Sequence, residues 1–130
     1  MILRRVGNKK DIASKIEPYF PFHKIYYEPF FGVGGMYFNK RPAPYSIVND
    51  LDQDIFNLFI VIKDNKDELI ELLTHTPLHE QLFYHWKVNQ ETEPIKKALR
   101  FLFLSSFSYL GKKDTFHLLH SVRTYIVCLL

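Results

Sequence analysis

Residues 28–38 read EPFFGVGGMYF: a carboxylate, a proline, then three glycines within four positions, walled by aromatics. The whole chain has only five glycines. Glycine is used where the backbone must enter positive φ or where another group must come close to the main chain. Upstream, KIYYE at 24–28 has the β-branched and aromatic content of a strand, stopped by Pro29. Downstream, GGMYFNK predicts the opening turns of a helix, which RPAP breaks at Pro42 and Pro44. YSIVND then reads as a second, buried strand over 45–49, with Asn49 and Asp50 at its end.

Working outward, RRVGNKK at 4–10 is a basic turn around Gly7-Asn8. Asp11 starts a short helix with Ile12, Ala13 and Ile16 on one face, ending before Pro18. LDQDIFNLFIVIKDN places Ile55, Leu58, Phe59 and Ile62 at helical spacing. From residue 66 onward only helices are expected, over 66–75, 78–89 and 93–107, with Pro77 and Pro94 at starts that tolerate proline. Strand and helix alternate in the first half, and the second half is helical. That order predicts an α/β unit whose strands at 24–28 and 45–49 lie parallel and adjacent, carrying a helical C-terminal half.

A chain of 130 residues, 47% hydrophobic and 16% aromatic, has enough apolar surface for one core and is expected to form a single domain. A formal charge of +3 permits a nucleic-acid partner without requiring one. The lone cysteine, Cys128, excludes an internal disulfide framework and fits a reducing compartment. No charged and then apolar leader opens the sequence, and the apolar run from Phe101 to Leu110 is broken by serines. A cytoplasmic chain with no membrane association is expected.

A strand, a glycine-rich turn, a crossover and a second strand tipped by an acid make a nucleotide-cofactor pocket. The glycines let the ligand approach the backbone, and the acid accepts hydrogen bonds from ribose hydroxyls. Asp50 stands close to the separation of about 20 residues that this pattern expects. The dinucleotide fingerprint fails, because Tyr37 occupies its third glycine position, and no G-K-[ST] follows for a phosphate loop. An adenosyl-type pocket without a pyrophosphate cradle remains. The glycines alone are equally served by a tight turn between buried elements.

EPFFGVGGMYF resembles the cofactor loop of S-adenosylmethionine-dependent DNA adenine-N6 methyltransferases of the Dam type. The resemblance runs from RRVGNK through VNDLDQDIFNLF to ALRFLFLSSFSYLG, in the family's order, over most of residues 4 to 111. It implies a partial Rossmann-like methyltransferase sheet, S-adenosyl-L-methionine as cofactor, DNA as partner, and a place in DNA methylation or restriction-modification. The family's N-terminal K-W-x-G-G-K turn aligns with Arg4 to Lys9, so Arg5 and Lys9 fall at cofactor positions, with Lys9 at the methionine end. Arg5 stands where the family often has an aromatic, and Asn8 replaces its second glycine. Phe30 to Gly34 are implied as wall and floor of the methionine pocket, with Phe30, Gly32 and Gly34 against the cofactor. Glu28 is implied as a further acceptor in that pocket or a cap of the loop, and Asp50 as the ribose acid with little packing role. Residues 65–111 correspond to the helical segment that leads into the target-reading region, whereas 112–130 bear no resemblance to that region of the family.

The family's chemistry requires D-P-P-Y or a close relative, whose acid and carbonyl hold the target amino group while its aromatic stacks on the flipped base. None of the seven prolines here is adjacent to another. No catalytic residue is therefore assigned, and the chain alone is expected to be inactive, as a truncated or frame-shifted gene would explain. A complementary chain or self-association is expected to cover the apolar surface that two parallel strands leave open. The alternative reading is a catalytically dead relative that binds DNA or another subunit. No metal site is expected: Pro77 separates His75 from His79, and His117, His120 and Cys128 lack a fourth ligand. Arg100, Lys112, Lys113 and Arg123 are the candidate phosphate contacts, and Phe101 to Leu104 read as core.

Overall fold

A computed structural model describes residues 7–108 and 113–117. The elements run α1 (Lys10–Ile16), β1 (Ile25–Glu28), β2 (Tyr45–Val48), α2 (Gln53–His75), α3 (Glu80–Val88) and α4 (Pro94–Ser106). Short 3-10 turns at Glu17–Tyr19 and Tyr37–Asn39 follow α1 and precede β2. β1 and β2 pair in parallel, with Ile25 opposite Tyr45 and Glu28 opposite Val48. The result is a mixed α/β arrangement with, among the described residues, a two-stranded parallel sheet and four helices; the parallel pairing is as expected, but only a 3-10 turn lies between the strands.

Two expectations need correction, and one boundary is kept. GGMYFNK does not open a helix; it makes one 3-10 turn, because Gly34 sits at φ +71° and the backbone leaves Lys40 extended toward Pro42. The helices expected on either side of residue 65 run end to end as α2 and meet at a kink where Asn65 leaves helical geometry (φ −137°, ψ 37°), so that boundary stands. β2 is not buried: all four of its residues are exposed, since among the described residues no layer covers its faces.

The core lies in the helices. Leu58, Val61, Leu69 and Leu73 of α2 pack with Phe83 and Trp86 of α3 and with Ala98 and residues 101–104 of α4. The Phe-Leu run thus serves as core, each of its four side chains at most 2% exposed. Pro94 opens α4, where its missing N–H costs nothing. His79 caps α3 by accepting from the Gln81 amide at 3.0 Å.

A second, smaller cluster of Ala13, Tyr26 and Met36 ties α1 to the sheet, and Tyr37 packs against both clusters. Aromatic contacts carry the connection: Tyr26 to Tyr37 at 6.5 Å, Tyr37 to Phe31 at 5.7 Å, and Phe31 to Phe59 of α2 at 5.0 Å between ring centroids. Phe31 belongs to the glycine loop, so the loop is also the joint between sheet and helices.

The buried Phe103 lies edge-on to Trp86, ring centroids 5.1 Å apart. Phe103→Ala should destabilise the fold by about 3–5 kcal/mol, read as a lower urea midpoint. Ile47→Ser, on the half-exposed face of β2, should move that midpoint little.

Candidate cofactor-binding site

Each glycine of the opening stretch has its own structural reason. Gly32 has φ +54°, and a Cβ there would meet nothing within 4 Å. Gly34 has φ +71°, and its Cβ would stand 2.5 Å from the Phe38 ring and 2.9 Å from that of Phe31. Gly35 has ordinary φ, but its Cβ would fall on the Asn8 side-chain oxygen and 2.9 Å from the Lys9 and Lys10 amides. Gly35 thus lets the basic N-terminal turn lie against the loop, Gly34 lets the aromatics close over it, and Gly32 alone faces open space.

The loop is bolted to the tip of β2. The Asn49 amide donates to the Glu28 carbonyl at 3.0 Å, and the Phe31 amide donates to the Asn49 carbonyl at 2.9 Å. These two bonds carry the parallel ladder past the strand ends. Asp50 completes the fastening: Oδ2 accepts from the Gly32 amide at 2.6 Å, and Oδ1 from the Asp52 amide at 3.0 Å. Asp50 is therefore not free of structural duty, contrary to the sequence expectation. Asp52 in turn caps α2, accepting from the Asp54 amide at 3.0 Å.

Between the N-terminal turn and this loop lies a cavity of about 200 Å³, lined by Gly7 to Lys9, Glu28, Phe30 to Val33, Gly35, Met36 and Asp50. Of the sequence-predicted residues, Lys9, Glu28, Phe30, Gly32 and Asp50 all line it. Gly34 does not; it is buried under Phe38 and Phe31 and shapes the loop from behind. Arg5 lies outside the described residues. Phe30 is 83% exposed at the rim. A larger apolar cleft of about 490 Å³, bounded by Tyr37, Phe38, Val48, Phe56 and Phe59, shares Phe31 and Asp50 with the cavity.

Glu28 is half-buried. Its Oε2 accepts from the Tyr26 hydroxyl at 2.9 Å. Burial raises its carboxyl above the ordinary value, against the lowering effects of the Tyr26 hydrogen bond and the Lys40 and Lys9 charges. The Tyr26 phenol is itself raised, first by burial and then by Glu28. Tyr26 and Lys40 were not legible as site residues, because nothing in the sequence spacing puts residue 40 beneath strand β1.

The groups around the cavity are chemically diverse: a lysine for an anion, a half-buried carboxylate for a cation, and a strand-tip carboxylate for hydroxyls. Each Asp50 oxygen accepts one backbone N–H and keeps a second lone pair for a ligand.

Other candidates resolve differently. Arg100 is buried and donates to the Trp86 carbonyl at 2.6 Å, so it is a core strut and not a phosphate contact. Lys113 stands 3.6 Å from the Asp54 carboxylate and 4.2 Å over the Phe101 ring. His75 bonds to the Glu71 carbonyl of its own helix. Among the described residues no group of three potential metal ligands occurs, and no helix is long and apolar enough to cross a membrane. Lys112, His120, Arg123 and Cys128 lie outside the described residues.

A strand-linked glycine loop latched by the acid of the neighbouring parallel strand defines the class as mixed α/β. Comparison with known proteins makes the class specific. The sequence model of the D12 class N6 adenine-specific DNA methyltransferases matches residues 6–119. The chain belongs to that family. It is 31% identical over 117 residues to a DNA adenine methylase of Haemophilus influenzae, covering 84% of this chain and 41% of that protein. The DNA adenine methylase of Escherichia coli K12 is 25% identical over 115 residues, with the same coverage of 84% and 41%. A type II methyltransferase of Lactococcus lactis, M1.LlaDCHI, is 33% identical over 70 residues, 53% of this chain and 24% of that one. The chain thus spans about two-fifths of the length of the adenine methylases it matches.

Two outcomes are expected from this geometry. Asp50→Ala removes the acceptor of two backbone amides, so it should lower stability by about 1–3 kcal/mol, measurable as a shift in urea midpoint without any ligand. Glu28 holds its proton to higher pH when folded than when unfolded, so its contribution to stability is present at low pH and is lost as pH rises through the interval above the ordinary carboxylate range. Glu28→Gln should flatten that fall in a series of denaturation curves between about pH 4 and pH 7.

Proposed function

We propose that this chain is the S-adenosyl-L-methionine-binding portion of a site-specific DNA (adenine-N6) methyltransferase. The observation that carries the reading is the convergence of Lys9, Glu28 and Asp50 on one cavity, at the place where Gly32 leaves the loop open. Lys9 binds the carboxylate of the methionine end, Glu28 its ammonium, and Asp50 the ribose hydroxyls. Phe30 and Gly32 form the wall and floor, and Gly34 holds their backbone in shape. Arg5 is assigned to the same site by family likeness. At about 200 Å³ the cavity is smaller than the ~300 Å³ at which whole-ligand pockets begin, so it encloses the amino-acid end while the nucleoside passes over Asp50.

The bound cofactor supplies a methyl group on a sulfonium centre. The residues of this chain bind and orient it, but nothing in the 130 residues offers the D-P-P-Y motif needed to hold a flipped adenine. Methyl transfer to DNA therefore needs a complement that brings this motif, either from a further segment or from a second chain. The exposed sheet favours a second reading alongside the first, a methyltransferase-like subunit whose role is interaction: Ile25, Tyr27, Tyr45 and Ile47 are all more than half exposed.

Calorimetric titration with S-adenosyl-L-methionine tests the reading. The wild-type protein should bind; Gly32→Val should abolish binding, because a branched side chain enters the cavity at positive φ. Lys9→Ala should weaken it by about tenfold, the scale of one charge-assisted hydrogen bond. No labelled methyl group should reach adenine-containing DNA from the chain alone. Absence of wild-type binding would leave the interaction reading in its place.

A further inference from the structure

Tyr26 is placed in a way that cofactor contact alone does not explain. The residue is 9% exposed in the small cluster with Ala13 and Met36, yet its hydroxyl donates at 2.9 Å to Oε2 of Glu28, which lines the cavity. Lys40, also 9% exposed, sets its ammonium 4.0 Å over the Tyr26 ring centroid and 5.4 Å from that of Tyr37, while donating to the Arg41 carbonyl at 3.1 Å. Among the described residues Lys40 and Glu28 form no direct ion pair; the tyrosine stands between them.

This arrangement has a definite chemical consequence. A cation over the face of a phenol is attracted to its ring and draws electron density from it, which makes the O–H a stronger donor. Burial keeps that proton on the phenol above the ordinary tyrosine range. The bond therefore runs one way, from tyrosine to carboxylate. It favours the ionised form of Glu28 and fixes one of its oxygens. Among the described residues the other oxygen, Oε1, makes no hydrogen bond, and Glu28 lines the cavity.

We propose that Tyr26, backed by Lys40, is a positioning residue that holds Glu28 as an oriented carboxylate for the ammonium group of an amino-acid-bearing ligand. The proposal rests on the reading of the cavity as an S-adenosyl-L-methionine site. Burial is the largest influence on the ionisation of Glu28 and opposes its charge; Tyr26 from β1, Lys40 from the segment after the second 3-10 turn and Lys9 from the N-terminal turn act against it, and Asp50 from the tip of β2 lines the same cavity. Both lysines and the tyrosine favour the carboxylate, and burial opposes it.

The experiment compares S-adenosyl-L-methionine with 5′-deoxy-5′-methylthioadenosine, which keeps the nucleoside but has no ammonium, by calorimetry on the whole chain between about pH 5 and pH 8. Tyr26→Phe keeps the ring beneath Lys40 and removes only the hydroxyl. It should weaken S-adenosyl-L-methionine about tenfold at neutral pH and leave the thioether nucleoside within about twofold. The loss of affinity on acidification should move to higher pH, because the Glu28 carboxylate has lost a stabilising donor. Glu28→Gln, with Tyr26 intact, should show the same ligand-selective loss and no acidic limb, which guards against a folding defect in the first variant. Equal weakening of both ligands, or an unmoved pH profile, overturns the proposal. Wild type binding both ligands while Tyr26→Phe binds S-adenosyl-L-methionine equally well overturns the positioning role alone. Wild type binding neither overturns the cofactor reading and this proposal with it.

Discussion

The carboxylate of Asp50 is clasped between the amides of Gly32 and Asp52, and most of the local architecture depends on that clasp. It pins the glycine loop to the neighbouring strand and starts the chain toward the cap of α2. It also sets the wall between the cavity and the larger apolar cleft. Charge-assisted bonds to backbone amides are among the stronger hydrogen bonds a protein makes. Because the carboxylate commits one lone pair of each oxygen to the backbone, it is aimed before any ligand arrives. Pre-aiming matters for binding, since ordering a group on association costs affinity.

The sheet is held in the opposite way. A parallel pair normally lies under cover on both faces, yet Ile25 and Tyr45, paired across the strands, are 59% and 68% exposed. Two strands alone are marginal in water. Here they are held from their ends: the loop bonds to β2 at one end, and the Tyr45 amide donates to the Lys24 carbonyl at 3.1 Å at the other. The helices, by contrast, complete their own core through α2, α3 and α4. The aromatic path from Tyr26 through Tyr37 and Phe31 to Phe59 is what makes the open sheet and the closed helical cluster share one loop.

Much of this was legible in the sequence because it depends on local chemistry. β-branched and aromatic residues at 25–28 and 45–48 gave strands, Pro94 opened a helix, and the helical periodicity around Ile55, Leu58 and Phe59 set the buried face of α2. The parallel pairing was expected from a strand-helix-strand alternation, and it holds although the connection is only a 3-10 turn. What escaped was set by contacts distant in sequence. GGMYFNK has helical composition, but Gly34 needs positive φ to admit Phe38 and Phe31, and that requirement limits the segment to one 3-10 turn. YSIV has the composition of a buried strand, and whether a strand is covered depends on what lies over it. By contrast, Asn65 kinks α2 at the boundary between the two expected helices, so that boundary was legible.

The same distinction orders the site. Lys9, Glu28, Gly32 and Asp50 sit in motif positions, where chemistry and spacing travel together, and they line one cavity. Lys40 has no such mark: a lysine before Arg41 and Pro42 reads as the solvated end of a turn. Only the fold brings it under Tyr26, where its charge reaches a carboxylate without touching it. Buried lysines are costly unless paired, so its place over two aromatic rings is one the protein must stabilise. Removing the ammonium would relieve that burial but would weaken the donor that fixes Glu28. Stability and the orientation proposed for Glu28 thus pull on residue 40 in opposite directions.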